Sequence, residues 1–226
     1  MKFNINLSTF KKKHINKKNQ IIFYKASCKN NKIIENIINN FLSKKNSFIF
    51  ESVEKRRIRG RYTIIGADPD KIWEFNNNKI SIIDNNIKKT KKEAPYPFLK
   101  KLIENFNFPL PKNIPPLCSL LVGYFSYDII RYIEKIPNNC LDDLKIPDVR
   151  LMRPKTIIIH DNLKKKIYFI KNSFADEKIK NYGLYYKKQI REIKFLYNLA
   201  FNHYYKNEVR KKYIKKSKVK SNRSKA

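Results

Sequence analysis

The sequence predicts an α+β fold: a largely antiparallel sheet, or sheets, with helices packed on it. Three observations lead there. Apolar runs of strand length outnumber helical stripes, and most of those runs meet across short Asn- or Asp-rich turns, as hairpins do. No strand–helix–strand repeat stands out, so an all-parallel sheet has little support. At 226 residues the chain is long enough to bury a full core, hiding roughly 70% of its unfolded surface.

The elements follow in order. Residues 1–15 read as an N-terminal lead, and residues 16–205 as one domain. QIIFYKAS, residues 20–27, is an apolar, β-rich strand. From Asn31 to Leu42, Ile33, Ile34, Ile37, Ile38, Phe41 and Leu42 recur at helical spacing and predict an amphipathic helix. Ser47 to Ser52 is the next strand. RYTIIGADPDKIWEF then reads as strand-like runs on either side of a turn at Gly66–Asp70. WEFNNNKISIID is a hairpin whose asparagines tolerate positive φ. Pro95 to Phe106 is a short helix with prolines in its first turn, followed by a Pro-rich link, PLPKNIPP. CSLLVGYFSYDIIRYIE opens as a buried strand, passes Gly123 and continues as a helix. PDVRLMRPKTIIIHDNLKKKIYFIKN is a second hairpin turning at Asp161-Asn162. From Asp176 to Tyr205, Ile179, Tyr182, Tyr186, Ile190, Ile193, Tyr197 and Phe201 mark a long helix. Residues 206–226 form a basic tail too poor in apolar groups to offset its ordering entropy, and are expected to be disordered.

Composition narrows the function. Hydrophobic residues make up 42% and aromatics 13%, which excludes a disordered chain despite a mean hydropathy of −0.62. No apolar run reaches the roughly 18–20 residues of a membrane helix, and the start lacks the apolar stretch of a secretory signal. A cytoplasmic protein is expected. Cys28, Cys118 and Cys140 form no C-x-x-C pair and do not cluster with His14, His160 or His203, so reduced structural thiols are expected rather than a zinc site or disulfides. The net charge of +32 invites a nucleic-acid reading. Yet the lysines are scattered, and they accompany an excess of Ile and Asn, the signature of AT-rich codons. No P-loop, G-x-G-x-x-G, G-x-S-x-G or H-E-x-x-H occurs.

Two stretches carry a family resemblance. FIFESVEKRRIRGRYTIIGADPDKIWEF, residues 48–75, has a strand ending in Glu-Ser, a charged loop, then Gly-Arg-Tyr-Thr and a second strand. LVGYFSYDIIRYIE, residues 121–134, has Gly-Tyr-x-x-Tyr-Asp before an Arg- and Glu-bearing segment. Together they resemble the N-terminal domain of anthranilate synthase component I, a chorismate-utilising family, over roughly residues 15–200.

The resemblance implies an effector pocket for tryptophan involving Glu51 and Ser52, with Arg61 where a basic residue helps. Chemically, Glu51 suits the ammonium, Ser52 either polar group, and Arg61 the carboxylate through its two-pronged guanidinium. Apolar strand residues would hold the indole. The plain alternative is that Glu51 ends its strand in a surface ion pair with Arg59 or Arg61. Gly60, Tyr62, Gly123, Tyr127 and Asp128 are read as a structural motif. Gly123 permits close strand packing or a bulge, Tyr127 and Asp128 cap the following helix, and Arg131 pairs with Glu134.

In the family, catalysis belongs to a carboxy-terminal chorismate-binding domain, which supplies the catalytic His and Lys and the Mg2+-binding glutamates. Its motifs are not found here, so the chain is expected to stop before it and to hold no catalytic residue, metal or cofactor. The expected function is the tryptophan-feedback part of the enzyme, non-catalytic alone. Expected partners are a separate chorismate-binding half and the glutamine amidotransferase subunit, component II, with tryptophan as effector and no role for membrane or nucleic acid. The alternatives are the corresponding part of aminodeoxychorismate synthase component I, serving folate synthesis, and a basic nucleic-acid-binding module.

Overall fold

A computed structural model describes residues 1–30, 32–41, 44–51, 60–106, 108–112, 114–137, 142 and 144–201. Its strands are β1 (Gln20–Ser27), β2 (Phe48–Phe50), β3 (Tyr62–Asn76), β4 (Lys79–Asp84), β5 (Ile87–Lys92), β6 (Val122–Phe125), β7 (Val149–Asp161) and β8 (Lys166–Ser173). The helices are α1 (Leu7–Ile15), α2 (Lys32–Phe41), α3 (Pro95–Asn105) and α4 (Tyr182–Phe201). One sheet runs β1-β8-β7-β3-β4-β5, with β2 also on β3 and β6 also on β7. Every one of these pairings is antiparallel, so the α+β expectation holds.

Alternation along the strands splits the core between the two faces of the sheet. On one face Ile158, Ile65, Ile22 and Phe169 pack with Phe10 of α1, Ile37 and Phe41 of α2, and Ile193 and Leu196 of α4. On the other, Ile157, Ile159, Ile64 and Ile170 lie under Cys118, with Ile114 of the Pro-rich link and the flanking Phe108 and Leu120 packed alongside. Each fully buried isoleucine or phenylalanine contributes about 1.5–3 kcal/mol. Further along β3 and β7, Trp73, Phe75, Ile80, Val149 and Leu151 meet Leu99 of α3.

The expected turn at Gly66–Asp70 does not form. β3 runs straight through it, paired to β7 from Tyr62–Asp161 to Phe75–Val149, with one register shift between Pro69 and Lys71. Pro69 has no N–H for the ladder, and a bulge is where a strand accommodates that; Asp68 takes the left-handed backbone there (φ 53). Gly66 serves packing instead of turning: a Cβ on it would fall 2.1 Å from the Phe48 ring.

Four other expectations need correction. The lead contains α1: the Asn6 side chain accepts from Thr9 N–H at 2.9 Å, and Phe10 and His14, one turn apart, are buried. The helix after Gly123 is only a 3-10 turn, Tyr127–Tyr132, and Ser126, not Tyr127 or Asp128, is its N-cap. Arg131 pairs with Asp128 (2.7 Å) rather than Glu134, and its other donors close on the carbonyls of Ile136 and Pro137, which ends the helical path. The last helix begins at Tyr182, not Asp176, because Asn181 caps it, accepting from Leu184 N–H at 2.9 Å. The helix end beyond Phe201, His203, Cys140 and the basic tail lie outside the described residues.

β5 was not foreseen. IKKTKK is exposed along its whole length and has no apolar alternation. It is held by backbone pairing to β4, by a Ser81–Thr90 hydroxyl pair at 3.0 Å and by the Asn85-Asn86 turn. Both turn residues have positive φ (46 and 70), as a type I′ hairpin requires.

Candidate functional site

The β2–β3 register, Phe50 opposite Ile64, brings the residue after β2 and the residues before Ile64 to the same end of the sheet. Glu51 stands there, exposed; Ser52 and Arg59 lie outside the described residues. Gly60 takes φ 81, in the left-handed region open to glycine, and the backbone carbonyl of Arg61 accepts from Asn162 N–H at 2.8 Å. Arg61 is not paired with Glu51. Its Nε and Nη2 donate side by side to Asp161 at 3.1 and 2.8 Å, the two-pronged geometry that guanidinium favours. The guanidinium also sits 4.8 Å from the centroid of the Tyr62 ring.

Asp161 is the centre of this end. It is 1% exposed and its Oδ1 also accepts from the N–H groups of Leu163 and Lys164 at 3.1 and 3.0 Å. Burial alone would raise its pKa, but Arg61 and those two backbone donors outweigh it and hold the carboxyl below its ordinary range. The sequence placed Asp161 in a hairpin turn and saw no charge partner for it. The partner is a hundred residues away in the chain, a separation no local spacing reports.

Midway along β3, the bulge builds a second polar cluster. Arg153 donates through Nε and Nη2 to Asp70 at 2.9 and 2.5 Å, and Nη2 also reaches Asp176 at 2.9 Å. The guanidinium lies 3.8 Å from the centroid of the Phe174 ring. Lys71 donates to Asp176 as well. Beside them Lys155 meets Glu177 and the Tyr185 hydroxyl, and buried Lys171 meets Thr156 and Glu192. Burial raises the Asp70 carboxyl and Arg153 opposes that shift without cancelling it. The sequence places Asp70 in an expected turn, and only the fold supplies its cationic partner.

Of the remaining motif residues, Gly123 occupies a site where a Cβ would fall 1.7 Å from the Arg150 carbonyl oxygen. Tyr127 is 91% exposed, and the Asp128 side chain is half exposed in its pair with Arg131. His14 and His160 are buried, and burial holds both imidazoles below their ordinary pKa, opposed by Glu177 for His14 and by the Cys28 backbone for His160. Cys28 and Cys118 are free and buried, and burial pushes the Cys118 thiol up to about 12.

The chain matches the family model described as chorismate binding enzyme over residues 45–224. It is 29% identical to anthranilate synthase component 1 of Cereibacter sphaeroides, across 66% of this chain and 31% of that protein. It is 35% identical to anthranilate synthase component 1 of Acetivibrio thermocellus, across 55% and 26%. It is 36% identical to the chloroplastic anthranilate synthase alpha subunit 2 of Arabidopsis thaliana, across 55% and 22%. A solved structure, anthranilate synthase component I from Streptococcus pneumoniae TIGR4, is similar at 20% identity with a TM-score of 0.48, over 72% of this chain and 35% of that one. The match to these curated relatives thus spans between about a fifth and a third of their length. The family match covers most of the chain, and the chain belongs to the chorismate binding enzyme family.

Proposed function

We infer from this membership that the chain is the amino-terminal, tryptophan-feedback part of an anthranilate synthase component I, working in tryptophan biosynthesis from chorismate and not catalytic by itself. The observation that carries the reading is the convergence of Glu51 and Arg61 on one end of the sheet through the β2–β3 register. An exposed carboxylate for an ammonium and a guanidinium for a carboxylate are the two charges a free amino acid needs. Asp161 takes Arg61 by Nε and Nη2. Nη1 meets no acceptor among the described residues and remains for the ligand carboxylate.

Chorismate chemistry in this reading is performed by the chorismate-binding half of the enzyme, with ammonia delivered by a component II amidotransferase. In this reading any Mg2+ belongs with the chorismate-binding half of the enzyme. The chain's part is to bind the effector and to bias its catalytic partner.

The test is calorimetry with tryptophan on the chain mixed with a catalytic half supplied in trans, alongside complementation of tryptophan and folate auxotrophs. Saturable tryptophan binding that Glu51→Ala abolishes is expected, with rescue of the tryptophan auxotroph. No binding once the catalytic half is present, or rescue of the folate auxotroph alone, would sink the reading.

A further inference from the structure

A cleft of about 590 Å³ opens beside the Arg153 cluster, remote from Glu51 and Arg61, and its walls divide by chemistry. Trp73, Leu102, Phe106 and Pro109 supply an apolar, partly aromatic side. Arg153, Lys17 and Lys18 supply a mainly cationic one, which also carries the Asp176 carboxylate and the Asn19 and Asn105 amides.

The charge at this cleft is not fully answered. Asp70, Asp176, Arg153 and Lys71 neutralise one another through the bonds already described. Lys17 and Lys18 are exposed at the mouth and make no ion pair among the described residues. The site is therefore positive by two charges. Arg153 adds a sharper signal. It is 8% exposed, and while Nε and Nη2 are committed to Asp70 and Asp176, Nη1 meets no acceptor among the described residues. A largely desolvated guanidinium with two N–H groups left over lines the cavity and is held rigid by a bidentate carboxylate and by the Phe174 ring. Because Arg153 lines the cleft, these N–H groups are available to an anion held there.

We propose that this cleft binds a small aromatic carboxylate. Its carboxylate takes Arg153 Nη1, with Lys17 and Lys18 closing over it, and its ring lies against Trp73 and Phe106. The size suits the class, since pockets for small molecules run from about 300 to 1,000 Å³ and are mostly apolar with a few placed polar groups. A zwitterion fits less well, because the one carboxylate of the lining, Asp176, is already held by Arg153 and Lys71 and its ammonium would otherwise face three cations. The proposal does not depend on the effector reading above, which concerns other residues at the start of β3.

Trp73 is the sole tryptophan of the chain and lines the cleft, so its fluorescence reports on occupancy directly. Benzoate is titrated into the full chain, with acetate (charge without ring), benzyl alcohol (ring without charge) and phenylalanine (an added ammonium) in parallel. Saturable quenching by benzoate is expected, at least tenfold tighter than by any of the other three. Lys17→Glu/Lys18→Glu changes only exposed side chains and should weaken benzoate at least tenfold while leaving the unfolding midpoint in place. Phe106→Ala should weaken it severalfold. Quenching that is linear, or equal for benzoate and acetate, would overturn the proposal. So would unchanged binding in the double lysine variant, or phenylalanine binding as tightly as benzoate.

Discussion

Arg153→Met isolates the cost of stranding a buried charge. The Arg153 and Asp70 side chains are 10% and 7% exposed. Methionine roughly keeps the stem of the side chain and removes every Arg153 donor to Asp70 and Asp176, leaving Lys71 on Asp176. Breaking a buried pair from one side costs about 3–5 kcal/mol, against a total stability of about 5–15 kcal/mol for a domain. With a urea m-value of about 2–3 kcal/mol/M for a chain of this size, the midpoint should fall by about 1–2.5 M. Trp73 fluorescence and far-UV circular dichroism read the transition together. The reasoning makes two further commitments. The Asp70→Asn/Arg153→Met double variant should recover more than half of the loss, since the penalty lies in the stranded carboxylate and not in the missing attraction. The loss should also shrink as pH falls. Burial raises the Asp70 carboxyl even with Arg153 lowering it, and losing Arg153 raises it further, so as acid is added the folded variant takes up this proton before the wild type does and regains stability relative to it. A midpoint shift below about 0.3 M, or a double variant whose cost equals the sum of the singles, would refute the account.

Three other outcomes are expected. Phe10→Ala should cost about 3–5 kcal/mol in urea unfolding, because Phe10 is fully buried in α1; a near-neutral effect would return α1 to a passive lead. Gly123→Ala should destabilise by about 1–3 kcal/mol and speed amide exchange in β6, since the clash is with the backbone oxygen of Arg150; unaltered exchange would show that the strands can part freely. His14 and His160 both have pKa values held below the ordinary 6.5 by burial. The unfolded chain therefore binds their protons first, and stability should fall as pH drops from 6.5 through the folded-state values. The His14→Gln/His160→Gln variant should flatten that slope in acid titrations monitored by circular dichroism, and an unchanged slope would contradict the assignment.

Where the chain follows a simple period, its sequence is legible. β1, α2, the β3–β4 hairpin and the β7–β8 hairpin stand close to their expected places because apolar spacing and Asn or Asp turns are local signals. α1 was hidden since three lysines interrupt its stripe and leave only Phe10 and His14 to mark a face. β5 was hidden because an edge strand exposed along its length needs no apolar residue. The expected turn at Gly66–Asp70 rested on turn-forming residue types, but β7 offers a continuous partner and tertiary pairing overrides that preference. Of the residues at the two polar clusters, Glu51 and Arg61 are singled out by a motif, while Asp161, Arg153, Asp70 and Asp176 are not. Their meaning lies in ion pairs such as Arg61–Asp161 and Arg153–Asp70, each joining distant segments.

The pairing of β1 with β8 has a consequence for synthesis. β1 is among the first segments made, yet its partner, from Gln20–Ser173 to Ser27–Lys166, comes roughly 150 residues later. At about 5–20 residues per second, a nascent chain carries that strand unpaired for roughly 8–30 s. Ile21 and Ile22 then wait without β8, and α4, which completes the first core, emerges later still. The early segment thus exposes apolar strand residues through most of synthesis, and the three lysines of α1 just ahead of it keep the waiting chain charged.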